Sequence, residues 1–432
     1  MSFLNKLRYS AFWAIDSIKG GAIKKDLNDL TEKFKIKSFK ELQQKNAPLI
    51  KDLLNQVVNS SPFYKKYDSF KSLNDFPVVN KLIVKENFNT INISDKNVRT
   101  VSSSGSTGIP FKIYQTKRKV IRNKADVIFY GSLGGYTIGE RLLFTRLWSD
   151  HYKKNTFFAK LLNLEQIDVR NLTDSYVLKL IKKISKDRSP KCLFGYPSGF
   201  EKICASLQKN KIKPINCNIT SIIATSESLN DYVKDQMEYY FNTPVVSRYS
   251  NEENGILSQQ MIGEKAFTIN WSSFYVEILD LEKDTPAKMG ELGRIVVTDL
   301  FNLATPMIRY DTGDVGNFCN FENDQIPKFE IVQGRIKDIL YNTKGEVINP
   351  FVVYVEIYKF PELEQVQLVQ MSKTAYVFKV NCALPFQREK EFISLFKGYL
   401  GHDAIIEIEY VDEVPLLKSG KRKIILNLSD QN

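Results

Sequence analysis

The stretch Val101-Ser-Ser-Ser-Gly-Ser-Thr-Gly-Ile-Pro110 gathers hydroxyls and glycines at one point of the chain. Gly105 and Gly108 let backbone N–H groups converge on an anion, while Ser103, Ser104, Ser106 and Thr107 add donors that bring no charge of their own. Such a set suits a polyphosphate. The GxxxxGK[ST] pattern of a P-loop is absent, so the wrapping is not of Walker type. A Ser/Gly run taken alone is more often a flexible linker. Its place directly before the alternating Phe111-Lys-Ile-Tyr114, inside a folded region, favours the cradle. Hydrolase chemistry has little material to use. Gly195-Tyr-Pro-Ser-Gly199 lacks the G-x-S-x-G spacing, and the chain holds two histidines, His151 and His402.

The loop needs elements to hold it. Residues 25–90 read as helical, with turns at Ser60-Ser61-Pro62 and near Pro77. After the Phe111–Tyr114 strand, Lys119–Gly131 has helical character and Arg141–Leu147 returns to strand. Leu172–Lys186 and Phe200–Lys209 carry amphipathic helical patterns, and Ser221–Thr225 is a short apolar strand. Strands alternating with helices imply an α/β fold with a substantially parallel sheet. Phe274–Val297 reads as strand–turn–strand about Pro286 and Gly290. Beyond Arg335 the texture changes to a compact α+β unit. It has a helix over Pro350–Lys359, strands at Val366–Gln370, Ala375–Asn381 and Ile405–Val411, and a helix over Glu389–Leu400. A boundary at Gly334–Asp338 divides the chain into 1–334 and 335–432, both ordinary sizes for domains.

Composition sets limits on partners and surroundings. The formal charge is +12, from 61 Lys and Arg against 49 Asp and Glu. That balance favours anionic partners, although the excess is spread along the chain as on an evenly solvated surface. No polybasic block with interleaved aromatics points to nucleic acid. Cys192, Cys204, Cys217, Cys319 and Cys382 are odd in number and scattered, which argues for a reducing compartment such as the cytoplasm. No apolar run reaches the roughly 20 residues that cross a bilayer. The start, with Phe3, Leu4, Leu7, Phe12, Trp13 and Ile15, is basic and amphipathic, and lacks the pattern of a signal peptide. It suits a membrane interface at the inner face, or more commonly packing against the main domain.

Ser-Ser-Gly-Ser-Thr-Gly-x-Pro resembles the phosphate loop of the adenylate-forming superfamily of acyl-CoA synthetases, adenylation domains and luciferases. Four further segments match in order: Thr225-Ser-Glu227, Tyr249-Ser-Asn-Glu-Glu253, Tyr310-Asp-Thr-Gly-Asp314 with Gly334-Arg-Ile-Lys-Asp338, and Lys418-Ser-Gly-Lys421. Gly290–Leu300 running into Thr305–Tyr310, together with Ser61–Tyr64 and Phe76–Lys81, is similar to the phenylacetate–coenzyme A ligase family. Gly195-Tyr-Pro-Ser198 resembles its capsular-polysaccharide branch. The likeness covers nearly the whole chain.

It implies a large N-terminal multi-sheet α/β adenylation domain and a small mobile C-terminal α+β domain. The implied chemistry is carboxylate activation by ATP with release of pyrophosphate, then transfer to coenzyme A or to an amine. Site roles carry over by motif. Ser103–Gly108 hold phosphates, and Ser226, Glu227 and Tyr249 face adenine. Asp314 and Arg335 bind ribose, Glu253 holds Mg²⁺, Lys421 is the catalytic lysine and Lys337 lies at the hinge. The acid pocket, for a small-molecule or sugar acid, draws on Tyr130, Tyr136, Tyr196, Ser198 and Arg248. Ser258–Thr268 contains neither Cys nor His, so no zinc is expected there. Ser250 and Glu252 depart from the family's Gly and Ser/Thr. They motivate an alternative, a catalytically silent homologue acting as a binding or scaffold subunit of a glycan-assembly complex.

Overall fold

The computed structural model describes residues 3–429 except 94–96, 104–110, 149–151, 322–323, 334–339, 349–352, 354–355, 358, 361, 383–385 and 416–423. Helices α1 (Phe3–Ile18), α2 (Ala22–Phe34), α3 (Phe39–Ser60), α4 (Lys81–Glu86) and α5 (Phe88–Ile91) lead the chain. Strands β1 (Arg99–Ser103) and β2 (Phe111–Gln115) flank the Ser/Gly loop and pair antiparallel, Ser103 opposite Phe111. The alternation of Phe111–Tyr114 thus belongs to a strand, as expected.

Next come α6 (Lys117–Leu133), β3 (Arg141–Arg146), α7 (Thr156–Leu161), β4 (Leu164–Asp168), α8 (Asp174–Lys186), β5 (Lys191–Gly195), α9 (Pro197–Lys209), β6 (Ile219–Thr225), α10 (Asp231–Phe241) and β7 (Val245–Asn251). Then β8 (Gly255–Gln260), β9 (Phe267–Ile269), β10 (Phe274–Leu279), β11 (Gly293–Asp299), β12 (Tyr310–Phe318) and β13 (Lys328–Gln333) follow without an intervening helix among the described residues. They join one 11-stranded sheet in the order β10-β11-β12-β13-β9-β8-β7-β6-β5-β3-β4. From β4 to β7 the neighbours run parallel; from β7 to β10 they run antiparallel.

Parallel strands need helices on both faces. On one face, Leu143, Leu193, Ile222 and Ala224 pack with Val177 and Ile181 of α8, Phe200 and Ile203 of α9 and Met237 of α10. The opposite face of β5–β7 carries Cys192, Ile223 and Val246, with α6 beyond. The antiparallel half is covered by α3 and the chain around Tyr64, Phe76 and Val79.

The C-terminal part has its own core. Strands β14 (Leu340–Tyr341) and β15 (Val347–Ile348) form a small hairpin. Strands β16 (Gln365–Gln370), β17 (Ala375–Asn381), β18 (Ile405–Tyr410) and β19 (Ile425–Asn427) form a sheet in the order β18-β17-β16-β19. Helix α11 (Glu389–Leu400) covers it, with Phe392 and Phe396 packed 4.8 and 4.6 Å from Phe378, ring centre to ring centre. The α+β reading of this part holds. The expected boundary falls on residues outside the described set.

The Gly195–Gly199 motif has a packing cause. A Cβ at Gly195 would meet the Thr145 carbonyl oxygen at 2.3 Å, and one at Gly199 would meet Thr145 Cγ2 at 2.5 Å. Both glycines let α9 and β5 close against β3.

Candidate active site

Side chains expected to work together converge where β7, β12 and the segment before α4 meet. Val79 is stitched to the start of β12: its N–H donates to Arg309 O at 3.0 Å, and its carbonyl accepts from Asp311 N at 2.8 Å. Arg309 holds a left-handed φ of 46° beside this join, while its guanidinium grips Glu277 at 2.9 Å and the Phe76 carbonyl at 3.1 Å. Asn80 then caps α4, accepting from Leu82 and Ile83 N–H at 3.0 Å each. Lys81, the first residue of that helix, is thereby brought to Glu253, 3.6 Å from its Oε1.

Glu253 follows the end of β7 and is 6 % exposed. Tyr310 donates its O–H to Glu253 Oε1 at 2.9 Å, and Gln115 Nε2 holds the Glu253 carbonyl at 3.1 Å. Burial, reinforced by Glu253 itself, pushes the Tyr310 phenol well above its usual range, so it stays a donor. Among the described residues Glu253 Oε2 accepts no hydrogen bond. A buried carboxylate with one oxygen oriented and the other open fits Mg²⁺, which takes one or two protein carboxylates and completes its shell with phosphate and water. No group of three or more His, Cys, Asp or Glu able to hold a metal occurs among the described residues.

Tyr249, in β7 itself, reaches across to β12. Its O–H donates to Asp314 Oδ2 at 2.7 Å, and its ring packs edge-on to Phe329 at 6.5 Å. Burial first, and Asp314 second, hold this phenol far above its ordinary range. Asp314 lies one residue past Gly313, whose φ of 76° suits glycine. The turn is closed by Asp311 Oδ1 accepting from Gly313 N at 2.8 Å.

Ser226 sits just beyond β6 with a φ of 71°. Glu227 reaches the start of α9, where its carboxylate accepts from Ser198 N–H at 2.8 Å and from Ser198 Oγ at 3.0 Å. The pair ties the β6 turn to a helix N-terminus, where a carboxylate is favoured. Tyr196 is buried beside it. Its phenol is pushed up by burial, with Arg146 opposing and Glu227 and Glu252 adding. Arg146 ends β3 and stacks over Tyr152, 4.3 Å from the ring centre.

On the α6 face of β7, Arg248 Nε donates to Gln259 Oε1 at 2.8 Å, and Gln259 Nε2 donates to the Tyr130 carbonyl at 2.8 Å. Tyr136 packs with Cys192 and Phe194 on the same face. Ser103 ends β1. Ser104, Gly105, Ser106, Thr107, Gly108, Arg335, Lys337 and Lys421 lie outside the described residues. Lys81 and Tyr310 were not singled out as site residues from the sequence. Both stand in motifs quoted for the family likeness, but only the fold brings them to Glu253.

The fold is that of the adenylate-forming ligases. The structure superposes on 2-hydroxyisobutyryl-CoA ligase, crystallised in the postadenylation state with R3-HIB-AMP, with a TM-score of 0.69 and 17 % identity over 90 % of both chains. Among curated sequences the chain is similar to Protein CapK of Staphylococcus aureus, 22 % identical over 93 % of this chain and 90 % of the relative. It is also similar to phenylacetate-coenzyme A ligase of Escherichia coli (strain K12), 23 % identical over 79 % of this chain and 81 % of the relative. These relatives agree with the likeness to phenylacetate–coenzyme A ligases and to a capsule-associated branch. No family model matches the chain.

Proposed function

We propose that this protein activates a carboxylic acid with ATP. A carboxylate oxygen attacks the α-phosphorus, the bond to the bridging oxygen breaks, and acyl-AMP and pyrophosphate form. A thiol of coenzyme A or an amine then attacks the acyl carbon and expels AMP. The observation that carries this reading is the convergence of Tyr249–Asp314 and Lys81–Glu253–Tyr310 around the carboxyl-terminal half of β7. Ligands of open α/β sheets bind beyond such strand ends. Asp314 can accept from both ribose hydroxyls, and Tyr249 offers a ring to adenine. Mg²⁺ held by Glu253 would offset phosphate charge. Ser103–Gly108 would wrap the departing pyrophosphate, and Ser226 and Glu227 would border adenine.

Arg335 would join Asp314 at the ribose, and Lys421, carried by a 335–432 domain turning about Lys337, would meet the charge developing between carboxylate and α-phosphate. The likeness to a capsule-associated branch favours a setting in surface polysaccharide biosynthesis, where the acceptor is coenzyme A or an amine. ATP–pyrophosphate exchange across an acid panel tests the reading. A silent scaffold subunit would neither exchange nor bind ATP.

The reading extends to an anionic membrane face. Phe3, Leu4, Leu7 and Ile18 of α1 are 57–85 % exposed, and Phe157, Phe158, Leu161 and Leu162 at α7 are 53–72 % exposed. Both groups are interspersed with lysines: Lys6 and Lys19, then Lys153, Lys154 and Lys160. One turn joins them, since Gly139 abuts Asn5 and Arg8 of α1 and its carbonyl accepts from Asn163 Nδ2 at 3.1 Å. Apolar side chains flanked by cations suit the interface of an anionic bilayer. Co-sedimentation with phosphatidylserine vesicles, lost in neutral vesicles and in Phe157→Ser/Phe158→Ser, is expected; equal recovery with and without vesicles would refute it. No described helix is long and apolar enough to cross a membrane.

A further inference from the structure

Four arginines are buried among the described residues: Arg122, Arg248, Arg294 and Arg309. Three have carboxylates. Arg122 meets Asp29 at 2.7 Å, Arg294 meets Asp284 at 2.7 Å and Asp311 at 3.0 Å, and Arg309 meets Glu277 at 2.9 Å. Arg248 has none. It is 6 % exposed and spends one of its five N–H donors on Gln259 Oε1. Its Nη2 is buried with no hydrogen-bond partner among the described residues, and its guanidinium lies 5.3 Å from the Phe194 ring centre. An unpaired buried charge is costly, and cation–π contact with one ring offsets only part of that cost.

The surroundings are built to hold this charge in place. Gln259 is fully buried and is itself fixed by the Tyr130 carbonyl, so the amide cannot turn away from Arg248. Arg248, in the middle of β7, stands opposite Gln259 and beside Thr225, the last residue of β6, where the parallel pairing of the sheet ends. It sits on the α6 face with Phe194, whereas its neighbour Tyr249 faces Asp314 on the other side of the strand. A group bound by Arg248 is therefore set apart from the ribose position.

Resting on the acid-activation reading, we infer that the acid substrate carries a second anionic group, a carboxylate distant from the reacting one, and that Arg248 receives it beside Phe194 and Gln259. The planar guanidinium offers a fork that matches a carboxylate bidentately. An acid with an apolar tail in that position would leave the charge unpaired, so Arg248 selects against it.

Matched acid pairs test the inference: butyrate with succinate, and phenylacetate with 4-carboxyphenylacetate. Each is assayed by thermal shift with and without MgATP and by ATP–pyrophosphate exchange. The wild type should favour the diacid of at least one pair by tenfold or more. That ratio should fall to about one in Arg248→Gln and to an intermediate value in Arg248→Lys, which keeps charge and loses the fork. A wild type that favours the monoacid of every pair overturns the inference. So does an Arg248→Gln or Arg248→Lys that weakens both members of each pair equally. If no acid supports exchange, the activation reading fails separately. Diacid-specific stabilisation that depends on Arg248 then still upholds the site, and its absence removes it.

Discussion

Replacing Glu253 by Gln separates the metal role proposed for this carboxylate from its place in the packing. The amide keeps an oxygen for the Tyr310 O–H, now 2.9 Å from Oε1, so that bond survives without its charge assistance. The loss is about 1 kcal/mol, the difference between a charged and a neutral acceptor. Lys81 stands 3.6 Å away with 35 % of its side chain exposed, and losing such a partner costs about 0–1 kcal/mol. Stability should therefore drop by no more than about 2 kcal/mol, read from urea denaturation followed by tryptophan fluorescence. Function should respond far more. Removing a charge that stabilises the transition state lowers turnover by about 10²–10³-fold. ATP–pyrophosphate exchange over a Mg²⁺ titration should thus collapse, with the midpoint displaced to higher Mg²⁺. Exchange within threefold of the wild type at an unchanged Mg²⁺ midpoint would refute the reasoning. A stability loss beyond about 4 kcal/mol would instead make Glu253 a structural residue, since it exceeds what these two contacts supply.

Three further outcomes concern the frame around the site. Lys119 and Asp299 are both fully buried with their charges 2.6 Å apart, at an angle outside hydrogen-bond geometry, so Lys119→Met should cost about 3–5 kcal/mol in urea denaturation by stranding Asp299. Gly195→Ala should cost about 1–3 kcal/mol by calorimetry, since the new Cβ would meet the Thr145 carbonyl at 2.3 Å and force β3 and β5 apart. Burial raises the Glu165 and Asp187 carboxyls, but hydrogen bonds outweigh it: from Lys183 and Arg141 on Glu165, from Ser189 and Arg141 on Asp187. Both are held below their ordinary range. Their stabilisation is complete above the unfolded values of about 4 and is lost as pH falls through the lower folded values. Thermal stability between pH 5 and pH 2 should accordingly decline less steeply in Arg141→Leu than in the wild type.

Local patterns in the sequence announced much of the frame. The alternation of Phe111–Tyr114, the apolar run Ser221–Thr225 and the amphipathic periods of α8, α9 and α11 all describe how one element meets its neighbours. The order of strands in the 11-stranded sheet is not local, since β13 enters between β9 and β12 by pairing across a long interval. The same limit applies to the site. Motif order suggested that Tyr249 and Asp314 serve one nucleotide, and the structure joins them by a single hydrogen bond. Lys81 could be matched to a motif but not to Glu253, because their contact depends on Val79 pairing with the start of β12. Arg248 shows the limit most clearly. Residue type gave a cation, whereas its lack of a carboxylate partner among the described residues follows only from the fold.

The central claim is that acid and ATP meet in this site to give an acyl-adenylate. Acid-dependent exchange of labelled pyrophosphate into ATP measures that half-reaction without any acceptor. The account predicts exchange with at least one acid of a broad panel, and its loss by about 10²-fold or more in Lys421→Ala while ATP still binds. No exchange with any acid, or exchange undiminished in Lys421→Ala, would contradict it.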